Sequence, residues 1–414
     1  MGGSTWTAAV SGGAADAALG LVAALAGRPR ATPSCVRPDL AGGGPGPALV
    51  YDQLERCRPG EGWGAMADGY LAASVRGTGR LGTTAPGLHA GLAGPAFAAW
   101  CLSRADPPDP SSGSSGRSES FEDETPRRAA ALADGAHGVA WRDFDVIHGL
   151  AGTGALLLCR AGESPHAERS LRAVLTALVA LCGERGGVPH WFTPAAAIRD
   201  DALRAHFPHG ALNWGAAHGI AGPLALMALA GSAGVRVPGQ DEALRRTAGR
   251  LLACRTEDAW GPGWPGITGL DGTPDPRPRS TASWCYGTPG VARSLWLAGT
   301  ALDDASLRET AVRAVKAVHR RAAERRGAGP SPGLCHGLAG LLQITLRFAQ
   351  DTGEAELRHA ATDLTVRLAR FREHGGNLAQ DGPGFLSGAA GVLLALLAAT
   401  TDNAPAWDRA LLLA

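Results

Sequence analysis

The feature that most constrains this chain is a short glycine pattern, GxxG, that recurs six times. It occurs at Gly91–Gly94, Gly149–Gly152, Gly219–Gly222, Gly287–Gly290, Gly337–Gly340 and Gly388–Gly391. Successive first glycines are 58, 70, 68, 50 and 51 residues apart, so each unit has room for about two helices and a loop. Internal repeats on that scale predict an array of stacked helical pairs. Glycine at such points allows either unusual backbone angles or close approach of neighbouring elements. If the array closes into a ring, the helices that begin at the motif all start at one common end.

The apolar periodicity agrees. Leu171, Val174, Leu178 and Leu181 recur at helical spacing, as do Leu307, Ala311, Ala314 and Val318, and Leu357, Ala361, Leu364, Leu368 and Phe371. Such stripes belong to amphipathic helices with one solvated face. Between them lie GPLALMALA at 222–230, GVARSLWLA at 290–298 and GVLLALLAA at 391–399, which are apolar nearly all round and need neighbours on every side. The chain is therefore expected to alternate outer amphipathic and inner buried helices in a single all-α domain over 1–414. One stretch departs from this: 106–128 is rich in Pro, Ser, Gly and charge, and reads as a mobile insertion. The polar stretches 183–213 and 257–283 carry His190, Trp191, Phe192, Trp260 and Trp264, and loops that long are usually functional.

Composition excludes several classes. With 39 basic and 38 acidic residues the net charge is +1, without the concentrated positive footprint of a nucleic-acid binder. No apolar run is long enough to span a bilayer, and no signal-peptide pattern opens the chain, so a cytoplasmic protein with reduced thiols is expected. Eight cysteines in 414 residues are too sparse for a disulfide scaffold.

Alignment of the six copies on their first glycine concentrates the chemistry. The preceding residues are Ala90, His148, His218, Tyr286, His336 and Ser387, and two before the glycine stand His89, Ile147, Ala217, Cys285, Cys335 and Leu386. In a ring these side chains converge on one pocket. Cys285, Cys335 and His336 are the best candidates for one metal. Two thiolates and an imidazole suit zinc, and three ligands leave the fourth tetrahedral position open, as in catalytic sites. Against this stands the ordinary role of cysteine as a small buried hydrophobe, which is the reading for Cys101, Cys159, Cys182 and Cys254.

The motifs SWCYGTPG at 283–290 and LCHGLAG at 334–340 resemble the zinc-site motifs of lanthionine synthetase C-like proteins. FDVIHGLAG at 144–152, NWGAAHGIAG at 213–222 and GFLSGAAG at 384–391 fit the same family in the same order, over roughly residues 80–400. The resemblance implies an α/α toroid with one zinc held by Cys285, Cys335 and His336. It implies His218 and Asp145 as the acid–base residues of a lanthipeptide cyclase, which adds peptide cysteine thiols to dehydroalanine or dehydrobutyrine and closes thioether rings. Tyr286, His148 and Trp284 are then the candidates for lining the substrate pocket, and Arg279 stands slightly farther from Cys285 than the family pattern suggests. The implied partners are a dehydrated precursor peptide of leader plus core, a lanthipeptide dehydratase and an exporter, with membrane association only through partners. Two other functions stay open: a related enzyme that adds a small thiol such as glutathione to dehydroamino acids, and a zinc-containing toroid that only binds peptide.

Overall fold

The computed structural model describes residues 6–27, 33–80, 86–103, 115–134, 138–277, 282–324, 331–371 and 382–414. In chain order the helices are α1 (Gly13–Ala26), α2 (Pro45–Cys57), α3 (Trp63–Arg80), α4 (Ala93–Leu102), α5 (Ser115–Asp134), the single turn α6 (Trp141–Phe144), α7 (Leu150–Arg160) and α8 (Pro165–Leu181). They continue with α9 (Asp201–His206), α10 (Ala221–Ser232), α11 (Gln240–Ala253), α12 (Thr288–Ala301), α13 (Ala305–Glu324), α14 (Leu338–Thr352), α15 (Ala355–Ala369) and α16 (Ala389–Thr400).

The packing is that of an α/α toroid. Helices α2, α4, α7, α10, α12, α14 and α16 stand side by side in that order, and α16 closes against α2. Around them lie α3, α5, α8, α11, α13, α15 and α1, each against one or two inner helices. The residue pattern explains the sorting. In α10 nearly every residue from Ala221 to Gly231 is buried, and α16 is buried from Ala390 to Ala399. In α8 burial is confined to a stripe through Leu171, Val174, Leu178 and Leu181, with Ser164 capping the first turn through an N–H bond from Ala167.

The ring has seven units, one more than the sequence reading found. The additional copy is Gly43–Gly46, at the start of α2, 48 residues before Gly91. Seven backbone hydrogen bonds, six of them donated from the position two before the glycine and one from the residue just before that position, Val146, close a circuit. They run from Ala41 N–H to His89, His89 to Ile147, Val146 to Ala217, Ala217 to Cys285, Cys285 to Cys335, Cys335 to Leu386, and Leu386 back to the carbonyl of Ala41, all at 2.9–3.2 Å. The glycines are there for clearance. Gly149, Gly287 and Gly388 have ordinary negative φ angles. A Cβ on Gly152, Gly290, Gly340 or Gly391 would overlap the carbonyl oxygen six residues earlier in the same loop.

The hole of the toroid is filled by residues 406–413, which begin as a short 3-10 helix (Ala406–Leu411). Inward-facing side chains hold this segment: Trp284 Nε1 donates to the carbonyl of Leu411 (3.1 Å), His89 Nε2 to that of Ala410 (2.8 Å) and Arg293 Nε to that of Leu413 (2.8 Å). Fully buried Asp408 accepts from Arg347 Nε and Nη2 and from Gln343 Nε2. Within the expected insertion, 106–114 lies outside the described residues, and from Ser115 onward the chain is helical as α5, whose Ala129 and Leu132 are buried. The two long polar stretches fold back as short hairpins, and Ala211–Asn213 pairs antiparallel with Ile267–Gly269 beside the mouth of the ring. Among the described residues no helix is long and apolar enough to cross a membrane.

Candidate active site

Because every inner helix begins at the motif, the residues just before it line one end of the toroid. The backbone circuit sets Cys285 and Cys335 at adjacent positions, and the ligand atoms of Cys285, Cys335 and His336 all lie within 4.8 Å of one another. Two soft thiols and an imidazole at that separation match the donor set of a tetrahedral zinc site with one open position. The two sulfurs interact strongly. A hydrogen bond from the Cys335 thiol, helped by His336 and Ser283 against the effect of burial, holds Cys285 down at about 5. The same bond, together with burial, pushes the Cys335 thiol well up. The two thiols therefore titrate as one coupled pair, the first deprotonation easier and the second harder than for an isolated thiol.

The second cluster is built around Asp145, which is fully buried at the turn between α6 and α7. Its Oδ1 accepts from the backbone N–H groups of His148 (2.6 Å) and Gly149 (2.8 Å), fixing the loop that starts α7. Its Oδ2 lies 2.6 Å from His218 Nδ1 and 3.7 Å from His148 Nδ1. Burial would raise this carboxyl, but the bonds from His148, His218 and the backbone outweigh it and hold it at about 2. The His148 imidazole is correspondingly raised by its interaction with Asp145. Asp145 is an anion at neutral pH, and it binds the proton of His218 at Nδ1, leaving Nε2 to exchange with a substrate.

Aromatic rings connect the clusters. His148 and His218 lie 6.2 Å apart between centroids, and His218 and Tyr286 lie 5.8 Å apart. His148, His218 and Tyr286 thus come from three successive units and form an arc that ends at the residue next to Cys285. Trp284 is not brought to it: its ring is fully buried, with its indole N–H on the segment that fills the hole. A side chain with no accessible surface supports the floor beneath Cys285 and offers a substrate nothing. Arg279 lies outside the described residues. Sequence reasoning passed over Ser283, which acts on Cys285, and Arg128, whose Nη2 donates to the carbonyl of His148 (3.2 Å). Arg128 carries no motif and closes a stretch without apolar pattern, so only the fold reveals it.

The fold and both clusters point to one family, and residues 34–412 match the lanthionine synthetase C-like protein family. The chain belongs to that family. It is 26% identical over 277 residues to the nisin biosynthesis protein NisC of Lactococcus lactis subsp. lactis, an alignment that covers 66% of this chain and 64% of that protein. It is also similar to a solved structure of nisin cyclase, with a TM-score of 0.77, 21% identity and 96% of each chain covered.

Proposed function

We propose that this protein is a zinc-dependent lanthipeptide cyclase, a single toroid domain that closes thioether rings in a dehydrated precursor peptide. The observation that carries the reading is the convergence, on one end of the ring, of a two-thiol-plus-imidazole trio and a carboxylate-held histidine. Zinc bound by Cys285, Cys335 and His336 would supply the Lewis acidity that favours the thiolate of a peptide cysteine, otherwise mostly protonated near neutral pH with a pKa of about 8.5.

The remaining chemistry falls to side chains of this chain. As the sulfur–carbon bond forms at the β-carbon of dehydroalanine or dehydrobutyrine, the alkene π pair moves to the α-carbon and its carbonyl. His218 Nε2 first takes the proton given up by the thiol and then delivers it to that α-carbon. Asp145 keeps the imidazole in the Nδ1–H form and stabilises its cation between the two transfers. Tyr286 and His148 flank His218 and bound the space for the alkene. The substrate must already carry its alkenes, so a dehydratase acts before this step, and a transporter receives the ring-closed product. Both steps suit a cytoplasmic enzyme.

The test is incubation of the purified protein with the dehydrated precursor encoded beside its gene, scored by loss of alkylatable thiols. His218→Ala should keep zinc content and melting temperature while losing about 10²–10⁴-fold in rate. Thiols that persist with wild-type protein, or that are consumed only when glutathione is supplied, would refute the cyclase reading. Loss of zinc in His218→Ala would mean that this histidine belongs to the metal.

A further inference from the structure

Two histidines share the Asp145 carboxylate, and the acid–base chemistry assigned above needs only one of them. Asp145 and His148 stand on the loop before α7, and His218 on the loop before α10. A backbone bond from Val146 N–H to the carbonyl of Ala217 (3.0 Å) ties the two loops together. Asp145 Oδ2 is 2.6 Å from His218 Nδ1 and 3.7 Å from His148 Nδ1, and one ligand atom from each of the three side chains lies within 4.8 Å of the other two. At 3.7 Å the His148 ring nitrogen faces the carboxylate without reaching a hydrogen bond. Three atoms so spaced surround a point about 2 Å from each, the length of a zinc bond to an imidazole nitrogen or a carboxylate oxygen.

The surroundings hold these atoms as a metal would need them. The second carboxylate oxygen, Oδ1, is fixed by the N–H groups of His148 and Gly149, and Arg128 Nη2 holds the carbonyl of His148. Outer contacts of this kind set the direction of ligands. Asp145, held at about 2, is an anion, and two imidazoles complete a donor set that suits zinc and its neighbours in the transition series. The His148 side chain is 48% exposed and that of His218 26%, so the outer ring can turn aside to admit an ion and close on it.

We propose that Asp145, His148 and His218 form a second, inhibitory metal site, which takes up one zinc ion when zinc exceeds what Cys285, Cys335 and His336 bind. The ion bonds to His218 at Nδ1, in the place of the proton shared with Asp145. That proton passes to solvent and Nε2 takes one up, so the ring stays neutral with its single proton moved. A ring in that state has no lone pair for the proton of a substrate thiol, and ring closure stops until the ion leaves. Without sulfur among its ligands, and with one of them half-exposed, this trio binds more weakly than the two thiols and fills only at excess zinc. The inhibitory effect rests on the reading of His218 as the acid–base residue; binding of the ion does not.

The experiment starts from protein carrying one zinc and adds cobalt(II), whose absorption reports its ligands. A further equivalent should give visible bands without thiolate charge transfer in the near ultraviolet. His148→Phe keeps an aromatic ring against His218, and His218→Asn keeps a hydrogen bond to Asp145. Each should weaken the added ion at least about tenfold, since loss of an outer partner alone costs about 10–100-fold. His359→Ala, which removes an exposed histidine of α15, should leave it unchanged. Bands that persist in either site variant, that fade equally in His359→Ala, or that carry thiolate charge transfer overturn the site. Added zinc should stop cyclisation by wild-type protein, and a weak chelator should restore it while one zinc stays bound. His148→Phe, measured against its own rate at one zinc, should resist the added zinc, which separates this site from capture of zinc by the peptide's thiols. A second ion bound with cyclisation undisturbed overturns the inhibitory role. A second ion on protein that closes no rings at any zinc level would refute the cyclase activity and leave the site standing.

Discussion

Asp145 holds two histidines and two backbone N–H groups with one carboxylate, and its acidity records that task. Its folded value of about 2 lies below the roughly 3.9 of an unfolded aspartate, so its stabilisation is full above about pH 4 and is lost as pH falls toward 2. Asp145→Asn should therefore cost about 2–3 kcal/mol at pH 7 and progressively less in acid, which denaturant titrations at pH 7, 4 and 2.5 would resolve. His148 has the opposite sign: its raised value adds stability below the ordinary histidine pKa that is lost as pH rises through the folded one. At the metal trio, Cys335→Ala should strip most zinc while Cys182→Ala, a buried thiol pushed up to about 11 by its surroundings, should retain it; elemental analysis of both variants decides this. Cys285, Cys335, His336 and His218 stood out because the glycine repeat puts them at equivalent places, whereas Asp145, four residues before Gly149, came only with the resemblance to the family. Trp284 was misjudged because adjacency to a ligand says nothing of direction: the neighbouring side chain points into the hole.

The element that repeats is a loop followed by an inner helix, and clearance decides its sequence. In Gly340 and its counterparts the missing Cβ makes room for the carbonyl six residues back. Gly340→Ala should destabilise by about 3 kcal/mol, the upper end of overpacking costs, since backbone must shift. Gly249, on the exposed face of α11 with nothing near its missing Cβ, is the contrasting case, and Gly249→Ala should stabilise by about 0.5–1 kcal/mol. Thermal melts of the two variants should move in opposite directions. Inner and outer helices were readable from periodicity because one set is apolar all round and the other striped. The seventh unit escaped because its GxxG is embedded in GGGPGP, where prolines read as loop, although Pro45 sits comfortably in a first helical turn.

At the scale of the molecule, nothing in the pattern of any single segment announces that the array closes or what fills its centre. The interior packs around residues 406–413 through buried Trp407, Leu411, Leu412 and Leu413 and through polar contacts, among them Arg347 and Gln343 on fully buried Asp408. Asp408→Ala leaves Arg347 buried without its counter-charge and should cost about 3–5 kcal/mol by chemical denaturation. If the segment were a loosely held tail, the loss would be within about 0.5 kcal/mol. Zinc affinity should fall in parallel, because Trp284, next to Cys285, hangs from the same segment.

The closed backbone circuit has a consequence for how the protein is made. Its final bond joins Leu386 to Ala41, so the flank of α2 that α16 covers has no partner until 345 further residues have been added. At about 5–20 residues per second that wait is roughly 20–70 s on the ribosome. Throughout it the nascent protein is an open arc with a bare apolar edge at each end, vulnerable to joining the arc of a neighbouring chain instead of its own. The floor, residues 406–413, is made only after Leu386, so the metal trio lacks that support until the ring closes, and yield in the cell should respond more to chaperone supply and slowed initiation than to added zinc.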